Sequence, residues 1–210
     1  MTALLTLVQW LSPAFPTGGF AYSHGLEAAI AGGEVTSAPA LRQWLGEVLE
    51  FGAGQQDAVL LVHALGPGAD HDALDALARA LAPSSERLME TLDQGTAFAR
   101  TVAGLTGRCL LPRCLPVAVG EAATPLALPP EQVAALYLHS FSSTLTSVAM
   151  RFMPLGQAAG QGVLASLHPL IERLAEQAVT LGLDDLGSCA LGADLAAMRH
   201  ETMDVRIFRT

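Results

Sequence analysis

The first residues that could do chemistry are Ser23 and His24, in a segment that reads PAFPTGGFAYSHGLE over positions 13–27. A serine beside a histidine could serve a hydrolase as nucleophile and general base. A nucleophile elbow requires G-x-S-x-G, but Ala21 stands where its first glycine would be. We therefore favour a structural role, with Ser23 and His24 in the first turns of a helix and hydrogen-bonded locally. A small hydrolase that uses this pair is kept as an alternative hypothesis.

A second pattern, G-x-G-x-x-A over positions 160–165, resembles part of a dinucleotide-binding fingerprint. That fingerprint functions only where it follows a buried strand, and here it follows RFMPLGQAA. Gly156 and Gly160 form G-x-x-x-G instead, a spacing that allows two helices to approach closely. We expect this face to pack in the core or at a dimer seam, and we predict no cofactor.

Residue types that bind metals are scattered along the chain. The six histidines include no i, i+4 pair and no H-E-x-x-H motif. Cys109 and Cys114 have four residues between them, without a second Cys or His pair nearby. Because a structural zinc site needs four grouped ligands, no built-in metal site is predicted. Transient binding of a divalent ion at an exposed Cys or His, as in a stand-alone helical metal carrier, is a further alternative.

Charge composition excludes several classes of protein. The net charge is −9, and all 11 basic residues are arginines. A chain this acidic is not expected to bind nucleic acid. Because there is no lysine, the chain has neither a Walker A lysine nor a Schiff-base lysine. It therefore cannot bind a nucleotide through a P-loop of its own.

The chain is strongly apolar, with 51% hydrophobic residues and a mean hydropathy of +0.40. Charges and prolines nevertheless interrupt every apolar stretch before it reaches the roughly 18 to 20 residues of a transmembrane helix. We therefore expect apolar surface to contact a partner protein rather than a membrane. The first positive side chain is Arg42, which argues against a secretory leader. The three cysteines are expected to be reduced thiols in the cytosol.

Ala and Leu dominate the sequence and favour an all-α fold. Prolines and glycines exclude a helix over residues 13–19, and we expect this rigid elbow to present Tyr22, His24 and Glu27 at the start of a helix that runs from about 21 to 32. Further helices are predicted over residues 2–11, 36–65 with a weak point at 52–54, 71–81, 84–105, 130–151, 155–178 with a kink at Pro169, and 191–198.

Two segments do not fit this helical pattern. Residues 106–128 contain scattered prolines and are predicted to form a long connector with at most a short extended piece. The chain then ends in HETMDVRIFRT, where Ile207 and Phe208 lie between Arg206 and Arg209. Arginine and aromatic residues are typical of interfaces. We expect this tail to dock either on its own domain or on another protein.

The segment WLSPAFPTGGFAYSHGLEAAI (10–30) resembles the N-terminal signature of the UreF family of urease accessory proteins, whose members carry the pattern SPxxPxGxFxYSxGLE. Three further segments match in order: DQGTAF (93–98), MRFMPLGQAAGQGVL (150–164) and MRHETMDVRIFRT (198–210). Together they extend from near the start of the chain to its last residue.

This resemblance implies a non-enzymatic, all-α, cytoplasmic protein that forms a homodimer, with 155–178 as our candidate for the seam. Family members join the accessory protein UreD, called UreH in some species, and recruit the GTPase UreG. That assembly docks on apo-urease and delivers nickel, coupled to GTP hydrolysis by UreG. The resemblance implies a UreF-like domain over residues 1–197 and a partner-docking tail over residues 198–210.

The matching positions also suggest which residues bind the partners. The tail match places five residues in the segment that folds onto UreD: His200, Glu201, Arg206, Phe208 and Arg209. The N-terminal match makes three residues candidates for the surface that faces UreG: Tyr22, His24 and Glu27. The resemblance implies neither a catalytic residue nor a resident metal.

Overall fold

A computed structural model describes residues 1–187 and 189–210, and these residues form an all-α fold, as predicted. The α-helices are α1 (Thr2–Trp10), α2 (Leu26–Ala31), α3 (Ala38–Phe51), α4 (Ala53–Leu65), α5 (His71–Ala80), α6 (Ser85–Thr106), α7 (Leu115–Ala123), α8 (Pro130–Phe152), α9 (Gln157–Ser166), α10 (His168–Ala178) and α11 (Leu191–His200). Short 3-10 helices cover Gly19–Ala21, Thr124–Leu126 and Leu183–Asp185.

Helix α4 lies at the centre of the fold. Four consecutive residues, Ala58 to Leu61, are buried on all sides of it, as expected of a helix that other helices surround. Helices α3, α7, α8 and α10 pack against it, and α7 also packs against α6. The main core is therefore a layer of helices around α4, with α11 and the C-terminal tail on its outside.

The predicted weak point in the 36–65 segment is a real break between α3 and α4. Ser37 caps α3, because its hydroxyl accepts a hydrogen bond from the Ala40 amide at 3.3 Å. The second helix starts directly after Gly52. A Cβ on Gly54 would lie 2.5 Å from Leu49 Cα, so only glycine permits so tight a connection.

The predicted kink near Pro169 is also confirmed, since α9 ends at Ser166 and α10 starts at His168. Proline is tolerated there because the first helical turn needs no amide donor. The predicted apolar face is buried in the chain's own core, including Val163 and Leu174. A Cβ on Gly160 would collide with the Met150 side chain of α8. Of the two glycines in G-x-x-x-G, Gly160 therefore makes a close approach within the chain, whereas no atom lies near the Cβ position of Gly156.

The prediction for residues 106–128 was wrong, because this segment contains α7. Pro116 lies in the first turn of α7, where its ring does not break the helix. The apolar side chains of α7 fill the space between α4 and α6. A Cβ on Gly120 would lie 2.6 Å from the Leu61 carbonyl oxygen, so glycine allows α7 and α4 to pack closely. Tertiary packing thus outweighs the local proline signal.

The predicted helix start near residue 21 was also wrong. Gly19–Ala21 forms a single 3-10 turn, and α2 begins only at Leu26. Between them, His24 has φ 57° and Gly25 has φ 76°, both in the left-handed region. A Cβ on Gly25 would lie 2.7 Å from the Ala197 amide nitrogen of α11. The non-helical turn therefore brings this segment against α11 and the tail.

Candidate functional site

The last residues of the chain fold back onto its own domain, against the 19–25 loop, α2 and α6. Five side chains of these elements hydrogen-bond residues 206–210, and we call them the tail site: Tyr22, Ser23, Glu27, Glu86 and Glu90. The tail itself is extended or turned rather than helical after residue 200. Its backbone polar groups must therefore find partners outside a helix.

Glu27 supplies the central acceptor of the tail site. It lies in the first turn of α2 and is 1% exposed. One carboxylate oxygen accepts a hydrogen bond from the Ile207 amide at 2.8 Å, and the other accepts from the Phe208 amide at 2.9 Å. These are charge-assisted bonds, which are stronger than neutral ones. They fix the backbone of the tail at two consecutive residues.

His200, the last residue of α11, connects two carboxylates across the site. Its Nε2 lies 3.1 Å from Glu27 Oε2, and its Nδ1 lies 2.7 Å from Glu86 Oε2. Both ring nitrogens of His200 therefore lie within hydrogen-bond distance of a carboxylate oxygen. The other oxygen of Glu86 accepts from Arg206 Nη1 at 2.6 Å. Glu86 therefore ties the end of α11 to the tail.

Glu201 hydrogen-bonds the start of α6 rather than the tail. Its Oε1 accepts hydrogen bonds from the Ser85 hydroxyl at 2.7 Å and from the Glu86 amide at 3.1 Å. These bonds lower the pKa of Glu201, the Ser85 bond most strongly. The Glu201 carboxylate therefore caps α6, because the first amides of a helix have no hydrogen-bond acceptor within the helix itself.

The terminal residue, Thr210, is 1% exposed and bonded on several sides. Its carbonyl oxygen accepts from the Ser23 amide at 2.9 Å and from the Ser23 hydroxyl. Its own hydroxyl donates to Glu90 Oε2 at 2.9 Å and accepts from the His24 amide at 3.1 Å. Because the Ser23 hydroxyl is fully buried and faces a carbonyl, it is not placed as a nucleophile. The predicted local bonding of Ser23 is confirmed, because the Glu27 amide, four residues along the chain, donates to its hydroxyl at 3.3 Å. The bond from the same hydroxyl to Thr210 is an additional long-range contact.

Glu90 is charged although it is buried. Burial by itself raises its pKa, but the opposing effects of Arg87, His24 and Thr210 are larger and lower that pKa to about 2. Arg87 forms an ion pair with Glu90 one turn away on α6. The His24 ring lies 3.8 Å from Glu90 and packs edge-on against Phe141 at 5.0 Å. Burial and the Arg87 charge lower the pKa of His24, so its ring is neutral at neutral pH.

Tyr22 contacts the tail on its solvent-exposed side. Its hydroxyl donates to Asp93 at 2.8 Å and accepts from Arg209 Nη1 at 3.3 Å. The guanidinium of Arg209 also lies over the Tyr22 ring at 5.9 Å, within the range of a cation–π contact. Burial raises the pKa of the Tyr22 hydroxyl, which keeps it protonated as a donor.

Phe208 is the apolar attachment of the tail. It is 6% exposed, and its ring centre lies 6.4 Å from that of Phe152 in α8. The guanidinium of Arg151 lies 4.6 Å from the centre of the Phe208 ring. The same Arg151 donates to the Phe20 carbonyl at 2.5 Å. This arginine therefore connects α8, the tail and the N-terminal loop.

The structure brings all eight predicted partner-binding residues into this one region, although the sequence assigned them to two surfaces. Five of them are buried: Tyr22, His24, Glu27, His200 and Phe208. Glu201 is half-buried, and Arg206 and Arg209 are exposed. Of the two docking modes expected for the tail, the one seen in the described residues is docking on its own domain. Roles of these residues in partner binding stay predictions.

Sequence reasoning missed the acidic face of α6. Glu86, Glu90 and Asp93 follow i, i+4, i+7 spacing, which places them on one side of a helix, and all three face the tail or its partners. This spacing was visible in the sequence. The role of Thr210 had no such signal, because its partners lie about 120 and 187 residues away along the chain.

Apolar residues are exposed on the outer side of this region. On α11, the exposed side chains follow i, i+4, i+7 spacing, and two more lie on the tail; we call them the apolar stripe: Leu191, Leu195, Met198, Val205 and Ile207. The Ile207 side chain is 72% exposed, although Glu27 holds the backbone amides of Ile207 and Phe208. Exposed apolar groups of this kind mark contact surfaces when they form a patch.

A cavity of about 270 Å³ opens beside the tail site, between the N-terminal loop and α8. Rings of Trp10, Phe98 and Phe141 line one part of it, and hydroxyls of α8, including Ser143 and Ser147, line another.

Within the described ranges, no group of three or more His, Cys, Asp or Glu side chains is arranged to hold a metal ion. In the same ranges, no helix has the length and apolarity needed to span a bilayer.

Comparison with known proteins gives matches over most of the chain. The UreF family model matches residues 35–168. A protein of Cereibacter sphaeroides named Urease accessory protein UreF is 64% identical over 208 residues, covering 99% of both chains. Proteins of the same name from Paracoccus denitrificans and Dinoroseobacter shibae are 55% and 49% identical, covering 99% and 100% of this chain and 96% and 100% of their own.

Proposed function

This chain belongs to the UreF family of urease accessory proteins, and we propose that it acts as a non-enzymatic scaffold for urease maturation. In this proposal it joins UreD (UreH) and the GTPase UreG on apo-urease, where nickel is inserted with hydrolysis of GTP. Nickel is the cargo of this process rather than a resident cofactor. The absence of lysine supports a separate GTPase, because the chain has no P-loop of its own.

The observation that carries the proposal is an exposed apolar surface on a tail whose backbone is fixed. Glu27 holds the Ile207 amide, while the Ile207 side chain projects outward. A surface fixed in advance loses less conformational entropy when a partner binds. Arg206 and Arg209 border this surface, and arginine is enriched at interface hot spots. We therefore place UreD on the apolar stripe and the exposed arginines.

For UreG, we propose an indirect role of the buried N-terminal residues. Tyr22, His24 and Glu27 lie beneath the tail, so they would act by holding the preceding loop in place. That loop exposes Phe20, which is 71% accessible, and its carbonyl is fixed by Arg151. An exposed aromatic residue on a positioned loop suits contact with a protein partner.

A cytoplasmic location and a homodimer complete the proposal. Cys109 and Cys189 are exposed free thiols, which suit a reducing compartment. Cys114 is buried, and burial raises its pKa to about 12, so this thiol is not reactive. For the dimer, we keep the outward-facing side of residues 155–178 as the proposed seam, since their apolar face is used in the core.

Co-purification with UreD tests the proposed surface. The Ile207→Asp variant places a charge on an exposed side chain without removing any bond of the tail site. Leu105→Asp is the matched control, because Leu105 is 60% exposed and lies about 28 Å along α6 from Glu86. We expect Ile207→Asp to lose the UreD complex and Leu105→Asp to keep it. Equal recovery of UreD with both variants would contradict the assignment.

A further inference from the structure

The cavity beside the tail site reaches from the protein surface into the core. The residues that line it range from exposed ones, such as Phe20 and Ser147, to Phe98, which is 1% exposed. Part of its wall comes from α6 and α7, which pack directly against each other. A ligand can therefore enter from solvent into a space whose shape is fixed before binding, as is typical of small-molecule sites.

The volume of the cavity fits a bicyclic ligand. It measures about 270 Å³, whereas an apolar cavity of about 150 Å³ is large enough to hold one benzene molecule. The ratio of these volumes leaves room for a second, fused ring. Because removing apolar wall from water is favourable, a ring system gains free energy by filling this space.

The walls of the cavity favour a flat aromatic ring. Trp10, Phe98 and Phe141 line it, and the first two already contact each other edge to face, with ring centres 6.1 Å apart and ring planes at 88°. Rings set at a right angle offer both a face and an edge to a further ring, and aromatic pairs prefer edge-to-face or offset-stacked contacts. An aliphatic chain would make no such contacts.

Glu90 supplies a hydrogen-bond acceptor at the buried end of the cavity. Its Oε2 is bonded to the tail through the Thr210 hydroxyl. Its Oε1 accepts one bond in the described ranges, from Gln94 Nε2 at 3.2 Å, and the His24 ring nitrogen lies farther away at 3.8 Å. A carboxylate oxygen has two lone pairs, so Oε1 has the capacity for a second donor. The pKa of about 2 keeps Glu90 charged at neutral pH, so the ligand must supply the hydrogen.

We propose that this cavity binds a small, neutral aromatic molecule with one N–H or O–H donor, which bonds Glu90 Oε1 while the ring packs against Trp10 and Phe98. A neutral ligand fits better than a cation, because the Arg87 guanidinium already pairs with Glu90. This binding activity goes beyond the proposed scaffold role. It uses neither the apolar stripe nor the exposed arginines of the tail.

NMR titration of the ¹⁵N-labelled full-length chain with indole tests the proposal. Of the two tryptophans, Trp10 lines the cavity and Trp44 lies on α3. The side-chain N–H signal of Trp10 should shift as indole is added, with a Kd of about 1 mM or below, while that of Trp44 stays in place. Trp44→Phe removes one of the two signals and so assigns them.

Benzofuran is the matched ligand control, because it has the ring shape of indole but an oxygen acceptor where indole has its N–H. Facing the Glu90 carboxylate, it should bind at least about tenfold more weakly. Ser143→Leu places a larger side chain in the cavity and should weaken indole binding at least about tenfold, since closely packed atoms exclude the ligand. Ser166→Leu makes the same change on α9, outside the cavity lining, and should bind indole as the wild type does. Circular dichroism checks the fold of both variants.

The proposal is overturned if indole does not shift the Trp10 signal, or if it shifts the Trp44 signal equally. It is also overturned if benzofuran binds as tightly as indole, or if Ser143→Leu and Ser166→Leu bind indole equally well. Ser143→Leu should still co-purify with UreD, so failure of this site and failure of the scaffold role give different results.

Discussion

The tail site makes a quantitative prediction for the Glu27→Gln variant. Glutamine keeps the size of the side chain but has one acceptor oxygen where glutamate has two. If that oxygen takes the position nearest Phe208 and His200, the amide NH₂ faces the Ile207 amide and leaves this donor without an acceptor. An unsatisfied buried donor costs about 1–3 kcal/mol, and loss of the charge weakens the bond from His200 by about 1 kcal/mol. The tail should therefore be held about 2–4 kcal/mol less tightly.

Amide hydrogen exchange measures this loss at the residues concerned. At about 1.4 kcal/mol for each factor of ten, the Ile207 and Phe208 amides should exchange about 30- to 1,000-fold faster in Glu27→Gln. Amides of α8 report global unfolding and should change much less. Asp204→Asn is the matched control, because it makes the same chemical change on an exposed tail residue. Unchanged exchange at Ile207 and Phe208, or an equal change in the control, would refute the role of Glu27.

Two further predictions concern the body of the fold. Gly95→Ala should destabilise the chain by at least about 3 kcal/mol in urea unfolding, because its Cβ would overlap the Arg113 carbonyl oxygen. Gly104→Ala, on the same helix with no atom near its Cβ position, should instead stabilise by about 0.5–1 kcal/mol; destabilisation by both would contradict the packing argument. Burial raises the pKa of Asp57 to about 6 although the Tyr137 bond opposes this, so its folded form binds the proton more tightly. The contribution of Asp57 to the free energy of unfolding should therefore fall as pH rises from about 4 to about 6. Asp57→Asn should make the free energy of unfolding depend less steeply on pH in this range, and an unchanged pH dependence would contradict the raised pKa.

Most helices could be predicted from local sequence signals. The break at Gly52, the cap at Ser37 and the kink before Pro169 each depend on residues within one or two helical turns. Local backbone chemistry decides such features. The apolar face of residues 155–178 was equally clear, because its period of 3.6 residues follows directly from burial on one side.

The elements that could not be predicted depend on distant packing. Helix α7 forms despite neighbouring prolines, because α4 and α6 provide a deep apolar site on both sides of it. The late start of α2 has a similar cause, since Gly25 must fit against the backbone of α11. Both contacts join segments far apart in the chain. No window of local sequence contains both partners of such a contact.

The candidate site was predicted in its residue types but not in its arrangement. Glu27 and His200 were both selected, yet nothing in the sequence indicated that they contact each other across 173 positions. The tail and the N-terminal signature therefore form one structural unit rather than two separate surfaces. Substitutions at Glu27 should therefore alter the proposed UreD-binding surface, because the same carboxylate fixes the backbone of Ile207.

The most direct test of the proposed role uses cells that carry the cognate urease operon with or without the gene for this chain. Urease is purified from both, and its nickel content and activity are measured. We expect nickel-poor, inactive urease when the gene is missing, recovery of both with the wild-type gene, and no recovery with Ile207→Asp. Urease that is equally loaded with nickel in the presence and absence of the gene would contradict the proposed role.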